Sequence, residues 1–328
     1  MSKVAIGIAH GHAAKWLQTS IYSLQRTKNK TEADIYVAHT WPGYPSIKGI
    51  TETPLGEGVT VFDCKLRRQS HATGLDEILD LIADRDYDYF FAMEDDCMAV
   101  KDGWLDWYVN FLEADPKIGM AGFFWIEGNN HYNINPSATL YRKDMLLKYH
   151  KEVRENDEGV FWHPRGNRSE TDGGMDSNIK DVAGVFSETR GIKNPSPQQE
   201  EEILKGVPQA AWFEPGAWLY YRSIGEYHSV RVPVEHIYMN YKGGRAPEGT
   251  YYGSKADPWI AHWWGGSRAW DHLKHPVTDR FVGGCSPQWL DREHSIWMQV
   301  VPIEYRMKMD LIHKEMGITG MGYDQNFK

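Results

Sequence analysis

The sequence predicts an α/β fold built on a mostly parallel sheet with helices on both faces. Short apolar runs alternate with amphipathic helical segments over about the first 125 residues, a pattern typical of nucleotide-binding sheets. One run, 87–93, has a single interior acid at Asp88 and ends in three consecutive carboxylates, Glu94, Asp95 and Asp96. The sequence contains neither a GxGxxG nor a GxxxxGK[ST] loop, which disfavours a dinucleotide-binding or P-loop fold.

The expected strands of this first half are apolar runs that end at turn residues. They cover residues 4–9, 33–38, 58–62, 87–93 and 118–125. The helices between them have apolar residues three and four positions apart, as along one helix face. Two of them cover 13–26 and 74–83, and a third begins near Trp104 with Asp102 as its N-cap.

The alternation loosens after Trp125. We expect a strand and then a helix over 138–153, a helix at 218–222 and a strand at 229–240. The glycine-rich stretch 241–257 is expected to be a mobile loop.

Composition narrows the class of protein. The net charge of −9 disfavours non-specific nucleic-acid binding, which needs a basic surface. No apolar run approaches the roughly 20 residues of a membrane span, and the N-terminus lacks a signal-peptide layout. The three widely spaced cysteines, Cys64, Cys97 and Cys285, indicate a reducing compartment and neither a disulfide framework nor a zinc cluster. A cytoplasmic protein is therefore expected.

Aromatic residues are abundant, with 14 Trp and 18 Tyr, and many of the tryptophans lie late in the chain. Flat amphipathic rings fill protein cores, and they also suit the faces of sugars and bases.

The acidic triplet predicts a metal site. Three adjacent carboxylates repel one another unless positive charge lies among them. A strand that delivers them to the carboxyl edge of an α/β sheet places them where such sheets bind ligands, and a divalent cation is the simplest positive partner. The alternative is a solvated acidic turn.

Several segments resemble GT-A-fold glycosyltransferases, most closely those of family 2. They follow the family's order: the strand 4–9, the helical segment Ser20-Ile21-Tyr22-Ser23-Leu24, the segment Gln69-Ser70-His71-Ala72-Thr73-Gly74-Leu75, the run Phe90-Phe91-Ala92-Met93-Glu94-Asp95-Asp96 at the place of the acidic DxD motif, and Asp115-Pro116-Lys117-Ile118-Gly119. The sequence departs from the family at two points. His39-Thr40 stands where the second strand usually ends in an aspartate that contacts the nucleoside, and Glu94 replaces the first aspartate of the motif.

The resemblance implies a GT-A glycosyltransferase domain over 1–270. Its nucleotide-sugar half would be 1–125, its acceptor half 126–270, and 271–328 would be a C-terminal extension packed on it. It also implies a nucleotide-sugar donor, most simply a UDP-sugar, whose diphosphate is neutralised by Mn²⁺ or Mg²⁺.

On this resemblance each acid of the triplet has an expected role. Asp96 would be the direct metal ligand, Asp95 would meet the ribose or the sugar, and Glu94 would act through water. Three further residues are expected near the nucleotide: His10, Arg68 and His71.

Two acids are candidates for the general base that removes the acceptor proton. Glu214, in Phe213-Glu214-Pro215-Gly216, resembles the second acid of the family's ED segment, and Asp176, in Gly173-Gly174-Met175-Asp176, resembles its GGFDE segment. We rank Glu214 first. Each also has a purely structural interpretation as a residue at a helix start.

A late histidine often completes the metal shell in these enzymes. The segment from His262 to Trp270 resembles the H-x-x-G-x-x-K-P-W segment of family 8, with Arg268 at the position of the phosphate-binding lysine. His262 is thus the expected second metal ligand, and His236 is the fallback. The alternative for His262 is a histidine that packs among aromatic residues without binding a metal. Family 8 retains and family 2 mostly inverts the anomeric configuration, and the longer family 2 likeness favours inversion.

The leading hypothesis is therefore a metal-dependent glycosyltransferase acting on an acceptor hydroxyl. The acceptor would be a saccharide or a hydroxymethylated base in phage DNA. The DNA alternative is based on the late tryptophans and on basic residues: Arg142, Lys143, Lys148, Lys151, Arg165 and Arg168. A non-catalytic carbohydrate-binding protein and a nucleotidyltransferase are the other hypotheses.

Overall fold

The structure is a computed structural model of the 328-residue chain. It describes residues 2–11, 14–40, 55–65, 71–127, 131–155, 159–160, 163–164, 219–220, 223, 225–241, 244–263 and 295–315.

The first half alternates strands and helices as its periodicity predicts. Its strands are β1 (Lys3–His10), β2 (Glu32–His39), β3 (Val59–Asp63), β4 (Tyr89–Glu94), β5 (Cys97–Ala99) and β6 (Ile118–Glu127). Its helices are α1 (Ala14–Arg26), α2 (His71–Ile82) and α3 (Trp104–Glu113). The predicted strands and helices of this half are confirmed to within a few residues at their ends.

The second half has more strands than its sequence predicts. Its described elements are β7 (His131–Arg142), α4 (Lys143–Glu155), β8 (Gly159–Val160), β9 (His163–Pro164), β10 (His228–Arg231), β11 (Val234–Tyr241), β12 (Gly244–Gly253), β13 (Pro258–Trp263) and α5 (Ile303–Glu315).

The central sheet has seven strands among the described residues, in the order β10-β6-β7-β4-β1-β2-β3. Strands β4, β1, β2 and β3 are parallel, β7 runs antiparallel to β4 and β6, and β10 is parallel to β6. The predicted fold class, a mostly parallel α/β sheet flanked by helices, is confirmed.

Two hydrophobic clusters cover the two faces of this sheet. Val4, Ile6 and Ile8 of β1 pack in the cluster that contains α1 and α3, whereas Ala5 and Ala9 pack in the one that contains α2 and α4. Neighbouring side chains along a strand point to opposite faces of the sheet. When both faces are covered, the sequence of each strand is therefore a continuous apolar run.

Small residues bring α2 close to β1. A Cβ atom added at Gly74 would lie 2.7 Å from the Cβ of Ala9 and 2.7 Å from Cγ2 of Thr40. The absence of a side chain at Gly74 therefore lets the first turns of α2 approach the carboxyl ends of the central strands.

A second, antiparallel sheet has the order β11-β12-β13-β5. Strand β12 occupies most of 241–257, so the prediction of a mobile loop there is wrong. The predicted strand 229–240 is two strands, β10 and β11, which belong to different sheets. Pro233, which has no amide proton to donate to a ladder, lies at the break between them.

The start of α3 also differs from its prediction. Its N-cap is Gly103, with φ at 79° and no capping side chain. The carboxylate of Asp102 instead accepts a hydrogen bond from the backbone N–H of Lys28 at 2.9 Å. Within α3, Asp106 accepts hydrogen bonds from the backbone N–H groups of Lys30 and Thr31. These acids tie α3 to the segment between α1 and β2.

Part of the C-terminal region packs on α1. Residues 295–300 are helical, and the indole N–H of Trp297 donates to Oε1 of Gln18 at 2.7 Å. In α5 the ring of Tyr305 lies 5.1 Å from that of Tyr22. Within the described part of the chain, no helix is long and apolar enough to cross a bilayer.

Gly249 of β12 offers a test of how tightly the second sheet is packed. A Cβ atom at this position would lie 2.4 Å from the carbonyl oxygen of His262 in β13. Because backbone atoms would have to move apart, Gly249→Ala should lower the free energy of unfolding by about 1–3 kcal/mol. The measurement is the urea unfolding midpoint, with Gly225→Ala, whose Cβ would meet nothing within 4 Å, as the matched control. Equal midpoints for the two variants would contradict the packing described.

The hydrogen bonds at Asp106 predict a pH-dependent contribution to stability. Burial would raise the pKa of Asp106, but the N–H groups of Lys30 and Thr31 and the Thr31 hydroxyl lower it overall. A pKa lower in the folded than in the unfolded state stabilises the protein above the unfolded value, and this contribution disappears as pH falls through the folded value. Asp106→Asn should therefore cost about 1 kcal/mol at neutral pH, and the difference from wild type should shrink on acidification.

Urea unfolding at several pH values measures this difference. Glu57→Gln, at an exposed carboxylate, is the control. A constant difference between wild type and Asp106→Asn across the acidic range would show that the charge of Asp106 contributes nothing.

Candidate metal centre at the carboxyl edge of the sheet

Three adjacent parallel strands end at the same edge of the central sheet. The register pairs Ala9 with Glu94 between β1 and β4, and His10 with His39 between β1 and β2. Thr40 holds the end of β1, since its backbone N–H and its hydroxyl both donate to the carbonyl oxygen of His10, at 2.8 and 3.0 Å. The residues that follow these strands therefore share one site.

The acidic triplet lies where β4 turns into β5. Asp95 and Asp96 form the turn, and β5 then pairs with β13 of the second sheet, with Cys97 opposite His262. The backbone N–H of Trp263 donates to the carbonyl oxygen of Asp96 at 3.1 Å. This pairing brings His262, which is distant in sequence, to the acids.

The imidazole of His262 lies between two carboxylates. Its Nε2 atom is 2.9 Å from Oε2 of Glu94 and 3.4 Å from Oδ1 of Asp96. The side chain of Asp96 is 3% exposed and that of His262 is 6% exposed, whereas that of Glu94 is 30% exposed. Two members of the group are thus buried, and Glu94 forms its solvent-facing side.

Burial and mutual charge shift the pKa values of this group strongly. Burial is the largest cause that raises the pKa of Asp96, to about 6, although the nearby His262 opposes it. Burial alone would lower the pKa of His262, but Asp96 and Glu94 raise it to about 10. Burial and the charge of Glu94 raise the pKa of Asp95 to about 8. Buried negative charge is therefore costly here, and a cation among these groups would offset the cost.

The donor set fits a divalent cation. One ligand atom from each of Asp96, Cys97 and His262 can be chosen so that all three lie within 4.8 Å of one another, and all three residues are buried. Carboxylate oxygen with neutral imidazole nitrogen is a ligand combination suited to Mn²⁺. Of the residues predicted for the metal, the structure thus brings Glu94, Asp96 and His262 together.

Asp95 forms a buried pair with His10. Nδ1 of His10 is 2.6 Å from Oδ2 of Asp95, and the imidazole is fully buried. Burial lowers the pKa of His10 to about 3, so its ring is neutral. Asp95 is the residue that the sequence resemblance assigned to the ribose or the sugar. In the structure one of its two carboxylate oxygens contacts His10.

His71 lies at the first position of α2, on the same edge. Burial is the main cause that lowers its pKa, and Glu94, Asp96 and His262 all act on it electrostatically. Its Nε2 atom is shielded from solvent and has no hydrogen-bond partner among the described residues. His71 was expected on a loop and is instead the first residue of a helix, and its place beside the nucleotide stays a prediction.

His236, the fallback ligand, is not brought to the acids. Its Nδ1 atom is 3.2 Å from the hydroxyl of Thr250, and the register places Thr250 between His236 and His262. Two strand spacings of about 4.8 Å each therefore separate the backbones of the two histidines, and His236 does not belong to the group of ligand atoms that Asp96, Cys97 and His262 form. The other predicted site residues, Arg68, Asp176, Glu214 and Arg268, lie outside the described residues.

Most of the described basic residues proposed for DNA have partners within the fold. The guanidinium of Arg142 donates to the carbonyl oxygens of Leu112 and Ile118, and the ammonium of Lys143 donates to that of Arg85. Lys148 pairs with Glu226. These contacts join α4 and the end of β7 to their neighbours.

Cys97 is the member of this group that sequence reasoning missed. Its thiol donates to the carbonyl oxygen of Ser137 at 3.1 Å, and burial raises its pKa well above the usual 9. The one local feature that could have indicated a role at the site was its position directly after Asp96. Its pairing with His262 involves a distant segment, so neighbouring residues do not predict it.

Comparison with known proteins finds low overall similarity to solved structures and no match in sequence. No protein-family model and no curated protein sequence matches the chain. Among solved structures, apo GlyE of Streptococcus pneumoniae TIGR4 is similar at 15% identity and a TM-score of 0.35. The likeness covers 70% of this chain and 45% of GlyE, so less than half of that protein is matched.

Two further structures are similar at the same level. The galactosyltransferase LgtC, in complex with donor and acceptor sugar analogues, has 12% identity and a TM-score of 0.37 over 93% of this chain and 99% of its own. The mannosyltransferase PcManGT of Pyrobaculum calidifontis, in complex with GDP-Man and Mn²⁺, has 11% identity and a TM-score of 0.37 over 62% and 68%. All three of these structures are of glycosyltransferases.

The arrangement predicts that Mn²⁺ binding depends on both Asp96 and His262. Asp96→Asn and His262→Ala should each weaken Mn²⁺ binding at least tenfold, since loss of even an indirect partner of a ligand costs about 10–100-fold. Isothermal titration calorimetry measures the affinity. His228→Ala, at an exposed histidine, is the control, and an unchanged affinity in His262→Ala would remove His262 from the ligand set.

Proposed function

We propose that this protein is a metal-dependent glycosyltransferase that moves a hexosyl or pentosyl group from a nucleotide-sugar to an acceptor hydroxyl, with inversion. The donor proposed is a UDP-sugar and the metal is Mn²⁺ or Mg²⁺. The observation that carries the proposal is the position of His262 Nε2, at 2.9 and 3.4 Å from Glu94 and Asp96. This group lies at the carboxyl edge of a parallel sheet, where such folds bind nucleotides.

The chemistry proposed requires charge neutralisation. A nucleotide-sugar leaves a diphosphate behind, and a bound divalent cation would stabilise the negative charge that develops on it. Asp96 and His262 would hold the cation in a buried environment, where electrostatic interactions are stronger than in water. Glu94, the exposed member, would face the bound donor.

Residues around the acids would position the donor. The neutral ring of His10, held by Asp95, and the ring of His71 present buried nitrogen atoms at this edge. We assign both to the nucleotide. The first turn of α2, where His71 lies, also offers backbone N–H groups to an anion. Arg68 and Arg268 are proposed as further donor contacts.

Two residues that the sequence motifs predict are proposed for the acceptor side of the site. Glu214 is proposed as the general base that removes the acceptor proton, with Asp176 as the second candidate. Loss of a positioned base typically costs 10²–10⁴-fold in rate. Because a base touches the acceptor and not the donor, its removal should leave donor binding intact.

A saccharide hydroxyl is the proposed acceptor. A hydroxymethylated DNA base receives less support, because Arg142, Lys143 and Lys148 already contact other parts of the fold.

Donor turnover tests the proposal. The chain is incubated with a panel of UDP-, GDP-, CMP- and dTDP-sugars and Mn²⁺, and release of the nucleotide is measured with and without saccharide acceptors. Turnover should stop on adding EDTA and should fall about 10²–10³-fold in Asp96→Asn, the cost typical of removing one stabilising group. Glu214→Gln should reduce transfer while a thermal-shift assay still reports donor binding.

The outcomes separate the competing functions. Full turnover in EDTA or in Asp96→Asn would exclude a metal-dependent transferase. Sugar binding without metal or nucleotide would instead identify a carbohydrate-binding protein. Formation of a nucleotide-sugar from a nucleoside triphosphate would identify a nucleotidyltransferase. Loss of transfer in Asp176→Asn but not in Glu214→Gln would reverse the order of the two bases.

A further inference from the structure

A buried thiol lies beside the proposed metal ligands. Cys97 is 1% exposed, and its Sγ atom belongs to the group of ligand atoms, with one from Asp96 and one from His262, that lie within 4.8 Å of one another. Carboxylate oxygen suits hard cations such as Mg²⁺, whereas thiolate sulfur is the donor that softer cations prefer.

The pairing of β5 with β13 explains why the thiol points to this site. Cys97 and His262 are directly opposite in the antiparallel register. Opposite residues of an antiparallel pair project from the same face of the sheet, with Cβ atoms about 4.5–5.5 Å apart. The strand register therefore makes the thiol of Cys97 and the imidazole of His262 neighbours.

The thiol also has a fixed environment. It donates to the carbonyl oxygen of Ser137 in β7 at 3.1 Å, a backbone group of the central sheet. This contact holds Cys97 between the two sheets, and the residue that precedes it in the chain is Asp96. One short segment thus supplies an oxygen and a sulfur, and β13 supplies the nitrogen.

We propose that Cys97 is a ligand of this centre and that the mixed oxygen, nitrogen and sulfur donor set selects the borderline cations Zn²⁺ and Co²⁺ and the soft cation Cd²⁺ over Mg²⁺. The inference rests on the proposed function, because both assign Asp96 and His262 as ligands of the same cation. On binding, the thiol gives its proton to solvent and the sulfur binds the cation as a thiolate. No oxidation takes place.

Cobalt spectroscopy tests the inference without any turnover. Metal-free protein is titrated with Co²⁺ alone, and a thiolate ligand should produce a near-ultraviolet charge-transfer band that oxygen and nitrogen ligands do not produce. The band should appear in wild type and disappear in Cys97→Ser. The matched control is the double variant Cys64→Ser, Cys285→Ser, which removes the other two cysteines of the chain and should keep the band.

Cation competition measures the selectivity. Cys97→Ser should weaken Cd²⁺ binding by about tenfold or more, within the 10–100-fold range typical of losses around a metal site. Its affinity for Mg²⁺ should change by less than about twofold, because a hard cation gains little from sulfur. If Cys97→Ser does not fold, the wild-type spectrum and the double variant still decide the question.

Three results would overturn the inference. The first is visible cobalt bands in wild type without a charge-transfer band, and the second is a charge-transfer band lost in the double variant but kept in Cys97→Ser. The third is no binding of Co²⁺ at all. A chain that turns over donor with Mn²⁺ but lacks the band would keep the proposed function and lose the thiolate ligand.

Discussion

The pairing of β13 with β5 is the contact on which the proposed site depends. It joins the antiparallel sheet to the acidic turn and places His262 opposite Cys97. The backbone N–H of Trp263 also donates a hydrogen bond to the carbonyl oxygen of Asp96. Without it the carboxylates of Glu94 and Asp96 would lack the imidazole of His262. On the other side of β13, Gly249 of β12 allows the close β12–β13 pairing, since a Cβ atom there would lie 2.4 Å from the carbonyl oxygen of His262.

The electrostatics of the site follow from this geometry. Carboxylates that would be solvated in a surface turn are buried by the second sheet, so their pKa values rise. The same burial makes His10 neutral. Such clusters of shifted groups are costly to the metal-free fold, and they are common at functional sites. In the metal-free protein the raised pKa of His262 favours the imidazolium, which partners the acids. On binding a divalent cation the ring would lose its proton, and the cation would replace that positive charge.

The two halves of the chain differed in how far local patterns predicted them. In the first half each strand is an apolar run and each helix has a buried stripe, so local periodicity and tertiary packing agree. In the second half the agreement fails at β12, which is a strand despite its glycines. In the first half it fails at the start of α3, where Asp102 binds the backbone of Lys28 and does not cap the helix. In both places contacts with residues far along the chain override the local propensity.

The sequence by itself determined the α/β class, the order of the first strands and helices, and the place of Glu94, Asp95 and Asp96 at the end of a buried strand. These features are local, since periodicity and the end of an apolar run involve only neighbouring residues. The tertiary structure alone decided that His262 and not His236 reaches the acids, that Asp95 is engaged by His10, and that Cys97 shares the site. Strand register between distant segments sets these contacts, and a shift of one residue would turn each side chain to the other face.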